Sequence, residues 1–135
     1  MSELTLASRF DQLPVLADWV GQLAMALSLP RAVAYRLDLV LAEAVTNIIE
    51  HGCAEGMGQA IVIRCVREGD ALRVEIADDA RPYDPTCRVE PPAVDRLEDA
   101  TPDGRGIRLM RRYSRDMHYR YEKDRNVLTL TLPLE

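Results

Sequence analysis

Glu43-Ala44-Val45-Thr46-Asn47-Ile48-Ile49-Glu50-His51-Gly52 closes a run of helical periodicity that begins near Arg31. Val33, Leu37, Val40, Leu41, Ala44, Val45 and Ile48 form a wide apolar stripe along that run, which predicts a helix with one face in a core. Gly52 is a natural left-handed stop for it. Glu43, Asn47 and His51 stand at i, i+4 and i+8. Each step of four adds about 40° of rotation and about 6 Å of rise, so the three share a narrow stripe beside the apolar one. Carboxylate and carboxamide oxygens are suitable hard ligands for Mg²⁺, directly or through its waters. Taken alone, the same spacing also suits an ordinary solvated polar face.

Outward from this helix, the pattern gives the rest of the fold. Before it, apolar residues recur at helical spacing from Leu13 to Leu27 (Leu16, Val20, Leu23, Leu27), and Pro30 separates the two helices. Glu3 to Ser8 alternates as a short first strand would. After it, residues 59–68 and 71–78 read as strands joined by a tight Glu68-Gly69-Asp70 connection. A long irregular stretch follows from Asp79 to Asp103, with five prolines and an acidic second half. A loop of that length in one domain is expected to be a lid, placed at about residues 86–103, or a disordered segment. Gly104-Arg105-Gly106 then opens a third helix from Ile107 to about Ser114. His118 to Glu122 and Asn126 to Leu132 close the chain as two strands. The order β-α-α-β-β-lid-α-β-β implies an α+β fold, a two-layer sandwich with the helices on one face of the sheet.

The bulk properties agree with a single domain over residues 1–135. The chain is 47% hydrophobic and 29% charged, with 22 acidic against 17 basic residues and a formal net charge of −5. An acidic surface argues against sequence-independent nucleic-acid binding, which depends on neutralising phosphates. No leader pattern opens the chain and no run approaches 18 apolar residues, so neither export nor a membrane span is expected. Cys53, Cys65 and Cys87 are odd in number and never spaced C-x-x-C, which fits a reducing cytoplasm.

Two further stretches could bind a nucleotide. Glycines flanking Arg105, at a helix start, let backbone N–H groups approach a phosphate closely. Asp78-Asp79-Ala80-Arg81-Pro82-Tyr83-Asp84-Pro85 leaves the end of a strand, where a carboxylate can accept from the exocyclic amine of adenine. Each has a plainer reading, a loop-to-helix turn and an Asp-Pro-rich turn.

Taken together and in this order, the three stretches resemble the N box and the two glycine boxes of the gyrase, heat-shock chaperone, histidine-kinase and mismatch-repair ATPase superfamily. The tail Asn126-Val127-Leu128-Thr129-Leu130 is similar to its closing strand. The short length, the Tyr-Asp-Pro ending and that tail resemble one branch, the bacterial anti-sigma-factor serine/threonine kinases, over about residues 5–132. The resemblance implies a Bergerat-type fold with a mixed, mainly antiparallel sheet of about five strands and three helices on one face. It implies ATP and Mg²⁺ as cofactors, with Asn47 holding the metal and Glu43 orienting or deprotonating the attacking hydroxyl. Asp78 would read adenine with Thr129 in support, Gly104 and Gly106 would cradle phosphates, Arg105 would neutralise them, and Tyr83 belongs to the nucleotide-binding set. The implied partners are an anti-anti-sigma-type antagonist protein and a sigma factor, with homodimerisation left open. Two positions depart from the pattern: Ala80 and Asp103 stand where glycine is usual. If Ala80 had to adopt a positive φ, its Cβ would cost roughly 1 kcal/mol or more.

Other features are weighed more simply. Arg108, Arg111, Arg112 and Arg115 join Arg105 in one short helix, to dock an acidic partner or as a solvated face. His51, Cys53 and Cys87 lack the paired spacing of a zinc site. A non-catalytic, nucleotide-dependent module that sequesters a regulatory partner is the alternative to a kinase. The catalytic domain of a sensor histidine kinase is disfavoured, because the chain has no room for a dimerisation helix pair bearing a phosphoacceptor histidine.

Overall fold

The computed structural model describes residues 2–52, 60–80, 82 and 102–134, with backbone alone at 51–52 and 102–107. Strand β1 (Ser2–Ala7) leads through a short 3-10 turn (Phe10–Gln12) into α1 (Leu13–Ala26) and α2 (Arg31–Gly52). The hairpin β2 (Ala60–Glu68) and β3 (Ala71–Asp78) follows, then α3 (Pro102–Tyr113), and the hairpin β4 (Asp116–Glu122) and β5 (Arg125–Pro133). The expected Tyr83, Cys53, Cys87 and the lid up to residue 101 lie outside the described residues.

Local chemistry accounts for each junction. Gly69 takes φ +60° at the first central position of the β2–β3 turn, the position at which a tight hairpin of the II′ kind needs glycine. Lys123 and Asp124 both take positive φ, 52° and 61°, between the paired Glu122 and Arg125, the signature of a type I′ hairpin. Helix α1 ends in a Schellman motif: Ser28 N–H donates to Met25 O at 3.2 Å and Leu29 N–H to Ala24 O at 2.9 Å. Ser28, at φ 52°, occupies the left-handed position that glycine usually fills.

The sheet order is β1-β2-β3-β5-β4. Every pairing among the described strands is antiparallel, so the sheet is not mixed as expected from the resemblance. The two hairpins and the return of β5 alongside β3 leave no parallel neighbour. One face carries Leu6, Ile61, Ile63, Leu72, Val74, Ile76, Leu130 and Leu132, all buried. It packs with Leu16, Val20 and Leu23 of α1 and Val33, Leu37, Val40, Leu41, Ala44 and Val45 of α2 in one hydrophobic core. Helix α3 joins the layer through Met110, fully buried, against α2.

The opposite face is held off from such packing by charge. Arg64 pairs with Glu3 at 2.6 Å and Glu75 at 3.6 Å, and Arg120 with Glu75 at 3.7 Å and Glu122 at 2.8 Å. Alternating signs thus cross the sheet from β1 to β4, which suits a surface in water and contributes little to stability. No described helix is long and apolar enough to cross a membrane.

Candidate functional site

Asp78 is the last residue of β3 and lies on the helix-facing side, since it and its register partners Ile61 and Asn126 are in phase with the core positions Ile63, Ile76 and Leu128. It is only 6% exposed. Its Oδ1 accepts from Ala80 N–H at 3.0 Å, a local turn bond that bends the chain out of the strand. The same oxygen accepts from Asn126 Nδ2 at 3.0 Å, and that nitrogen also donates to Ala80 O at 3.2 Å. Tyr119 Oη bonds Asn126 Oδ1 in turn. Burial pushes the Asp78 carboxyl above its ordinary value, partly offset by the Asn126 and Ala80 bonds, with Asp79 adding to the rise.

Asn126 is the residue that sequence reasoning missed. Thr129, expected to support Asp78, pairs with Glu75 in the β3–β5 register. Thr129 stands three positions after Asn126, an odd step, so the two side chains point to opposite faces of the sheet. Thr129 lies on the charged face, where Arg120 Nη1 donates to its hydroxyl at 3.5 Å. It is not brought together with Asp78, and Asn126 holds that place instead. The sequence signal for this is the period of two counted from the strand pairing.

Ala80 is 2% exposed, and the non-glycine residues with positive φ among those described are Ser28, Lys123 and Asp124. The departure at Ala80 therefore stores no left-handed strain: the turn is made by the Asp78 carboxylate, with a methyl group filling the buried space.

Asn47 is buried on α2, 8% exposed, and its Oδ1 has no hydrogen-bond partner among the described residues. A buried carbonyl oxygen without a donor is costly and suits a hard cation that accepts one or two protein oxygens and keeps its waters. Among the described residues no three of His, Cys, Asp and Glu cluster as a metal cage. Glu43, one turn earlier, is half-buried and engaged with neighbours. His51 stands in the last turn of the same helix. Cys65 faces the core, where burial pushes its thiol up to about 11 and leaves it unreactive.

Helix α3 begins at Pro102, five residues before the expected Ile107, so Gly104, Arg105 and Gly106 lie within its first turns rather than ahead of it. Proline fits that start because its φ is preset and its missing N–H is needed by no helix bond. The other end of α3 is tied down. Arg115 N–H donates to Thr131 O at 2.6 Å, and the guanidinium grips Asp70 at 3.3 and 3.4 Å. Arg36 and Arg112 both lie over the Tyr113 ring, at 5.9 and 5.8 Å. Arg115 and Arg36 thus tie the end of α3 to the β2–β3 turn and to α2, while Arg112 packs on Tyr113 within α3 itself.

Over residues 6–132 the chain matches the family described as histidine kinase-like ATPase domain. It is 33% identical over 113 residues to the serine/threonine-protein kinase BtrW of Bordetella bronchiseptica, covering 84% of this chain and 80% of that protein. Its fold is similar to the RsbU and RsbW domains of Rv1364c from Mycobacterium tuberculosis, with a TM-score of 0.67 and 13% identity, over 98% of this chain and 32% of that one. It is also similar to the histidine kinase domain of the Erythrobacter litoralis EL346 blue-light activated histidine kinase, with a TM-score of 0.58 and 19% identity, over 88% of this chain and 61% of that one. This chain spans less than two thirds of either solved chain, and identities this low carry the fold alone.

Proposed function

The chain belongs to the histidine kinase-like ATPase domain family, and from that premise we propose that it is a Mg-ATP-dependent serine/threonine protein kinase of the anti-sigma-factor type. In this reading it acts in the cytoplasm, phosphorylates a small antagonist protein and regulates transcription by partner switching with a sigma factor. The observation that carries the reading is the buried, unsatisfied Oδ1 of Asn47 one turn beyond Glu43. The relationship to a protein named as a serine/threonine kinase supports transfer rather than binding alone.

Each residue has a distinct task. Asp78 accepts from the exocyclic amine of adenine, held by Asn126 and by Ala80 N–H. The free N–H of Gly104, in the first turn of α3, holds a phosphate oxygen with the help of the helix dipole and Arg105, and Gly106, with no side chain, leaves the phosphates room to approach the helix. Tyr83 completes the nucleotide-binding set. Asn47 would hold Mg²⁺ together with the substrate phosphates; the bound metal neutralises charge that develops on the phosphoryl oxygens. Glu43 accepts the proton of the incoming serine hydroxyl as its oxygen bonds to the γ-phosphorus, and the bond to ADP breaks.

The test is a transfer assay with γ-labelled ATP, Mg²⁺ and candidate antagonist proteins. The expected result is Mg²⁺-dependent labelling of a serine or threonine. ATP binding without transfer to any candidate would replace the kinase with a nucleotide-dependent binding module, and no binding would end both.

A further inference from the structure

Beneath the proposed adenine site lies a chain of polar groups that alternate donor and acceptor. Asp78 and Asn126 are 6% and 5% exposed, and Tyr119 is half-buried on the same side of the sheet. Ala80 O is a carbonyl and can only accept, so the Asn126 atom facing it at 3.2 Å must be the amino nitrogen. The same nitrogen faces Asp78 Oδ1 at 3.0 Å. Oδ1 of Asn126 is therefore the atom that meets Tyr119, and the phenol must be the donor.

We infer that Tyr119 and Asn126 are positioning residues that keep Asp78 a hydrogen-bond acceptor, and so make the site select a 6-amino purine nucleotide over a 6-oxo one. The inference rests on the reading of Asp78 as the adenine contact. The amide has two orientations. In the observed one, two N–H donors, from Asn126 and Ala80, converge on Asp78 Oδ1 and favour the carboxylate over the acid. In the reversed one, the amide oxygen would face both a carbonyl and a carboxylate. The carboxyl could relieve that contact only by taking up a proton, and would then present a donor where an acceptor is needed. A donor suits a 6-oxo purine. Tyr119 favours the observed orientation because its phenol donates to the amide oxygen, which only that orientation turns toward it. Selectivity between amine and carbonyl is thus set two residues away from the nucleotide, through bonds across β3, β5 and β4.

The test measures affinities for Mg-ATP and for Mg-ITP, which carries a carbonyl in place of the amine, by titration calorimetry. The proteins are the wild type, Tyr119→Phe and Asn126→Ala. The wild type is expected to prefer ATP. Tyr119→Phe should cut that preference by about 3- to 10-fold, the worth of one buried hydrogen bond, and Asn126→Ala by at least as much. A merely structural role would weaken both nucleotides alike and leave the ratio unchanged, and that result overturns the inference alone. A wild type that binds ATP and ITP equally, or neither, overturns the reading of Asp78 and the inference with it. Should Asn126→Ala fail to fold, Tyr119→Phe, which removes a single oxygen, decides the matter.

Discussion

Replacing Asn47 by leucine should make the protein more stable and less able to use metal. Leucine has the branched shape of asparagine without its polar atoms, so Asn47→Leu removes a buried oxygen that no donor satisfies. Relief of an unsatisfied buried acceptor is worth about 1–3 kcal/mol. At about 2.1 cal/mol/K per residue, unfolding this chain carries an entropy of about 0.28 kcal/mol/K, so the nucleotide-free Tm should rise by roughly 3–10 °C. The wild type in turn should gain about 2.7 kcal/mol, roughly 10 °C, from Mg-ATP at 100 times Kd. Asn47→Leu should lose the Mg²⁺-dependent part of that gain. Calorimetric melts of both proteins, with and without ATP and with and without Mg²⁺, give all the terms. A lower Tm for nucleotide-free Asn47→Leu would mean that the oxygen was satisfied. A higher Tm with an intact Mg²⁺-dependent gain would mean that Asn47 is not the metal residue.

Glu43→Gln should keep ATP affinity within several-fold but lower the phosphoryl-transfer rate by about 10²-fold or more, because proton acceptance develops in the transition state; single-turnover transfer at wild-type rate would remove Glu43 as the base. Ser28→Gly should raise stability by about 0.5–1 kcal/mol, since glycine takes the left-handed position ending α1 without a Cβ penalty; urea melts with an unchanged or lower midpoint would contradict this. The Asp78 carboxyl titrates higher in the folded chain than in the unfolded one. Its protonated form thus contributes stability that is fully present below the ordinary carboxylate range and lost as pH rises through the folded value. Asp78→Asn removes this dependence, so the stability of wild type relative to Asp78→Asn should grow as pH falls toward about 4; parallel stability–pH curves would show that Asp78 is not desolvated.

Much of this protein was legible in the chain because the deciding interactions are local. The stripe from Val33 to Ile48 marked α2, and the two hairpin turns fell at Glu68-Gly69-Asp70 and Lys123-Asp124-Arg125, where φ is positive. Glu43 and Asn47 could be placed on one helix face from their spacing, since an α-helix fixes side-chain direction within a few residues. The same locality explains the error at α3. Gly104 and Gly106 read as a loop, yet the helix extends through them to Pro102, with Met110 and the Arg115 contacts anchoring its later turns against α2 and the β2–β3 turn.

What the chain alone could not give was which residue meets Asp78. A strand fixes that side chains alternate, but not which set faces the helices; that depends on the pairing partner and its register. The pairing of Asp78 with Asn126 joins residues 48 apart in sequence, and shifting it by one would have put Thr129 beneath the helices instead. The burial of Asn47 Oδ1 without a donor is likewise a property of everything packed around α2 rather than of the segment that carries it. Local periodicity therefore determined the elements and the helix that bears the proposed metal residue. Only the tertiary register decided how the floor of the site is wired, because donors and acceptors from β3, β4 and β5 meet there only once the sheet is assembled.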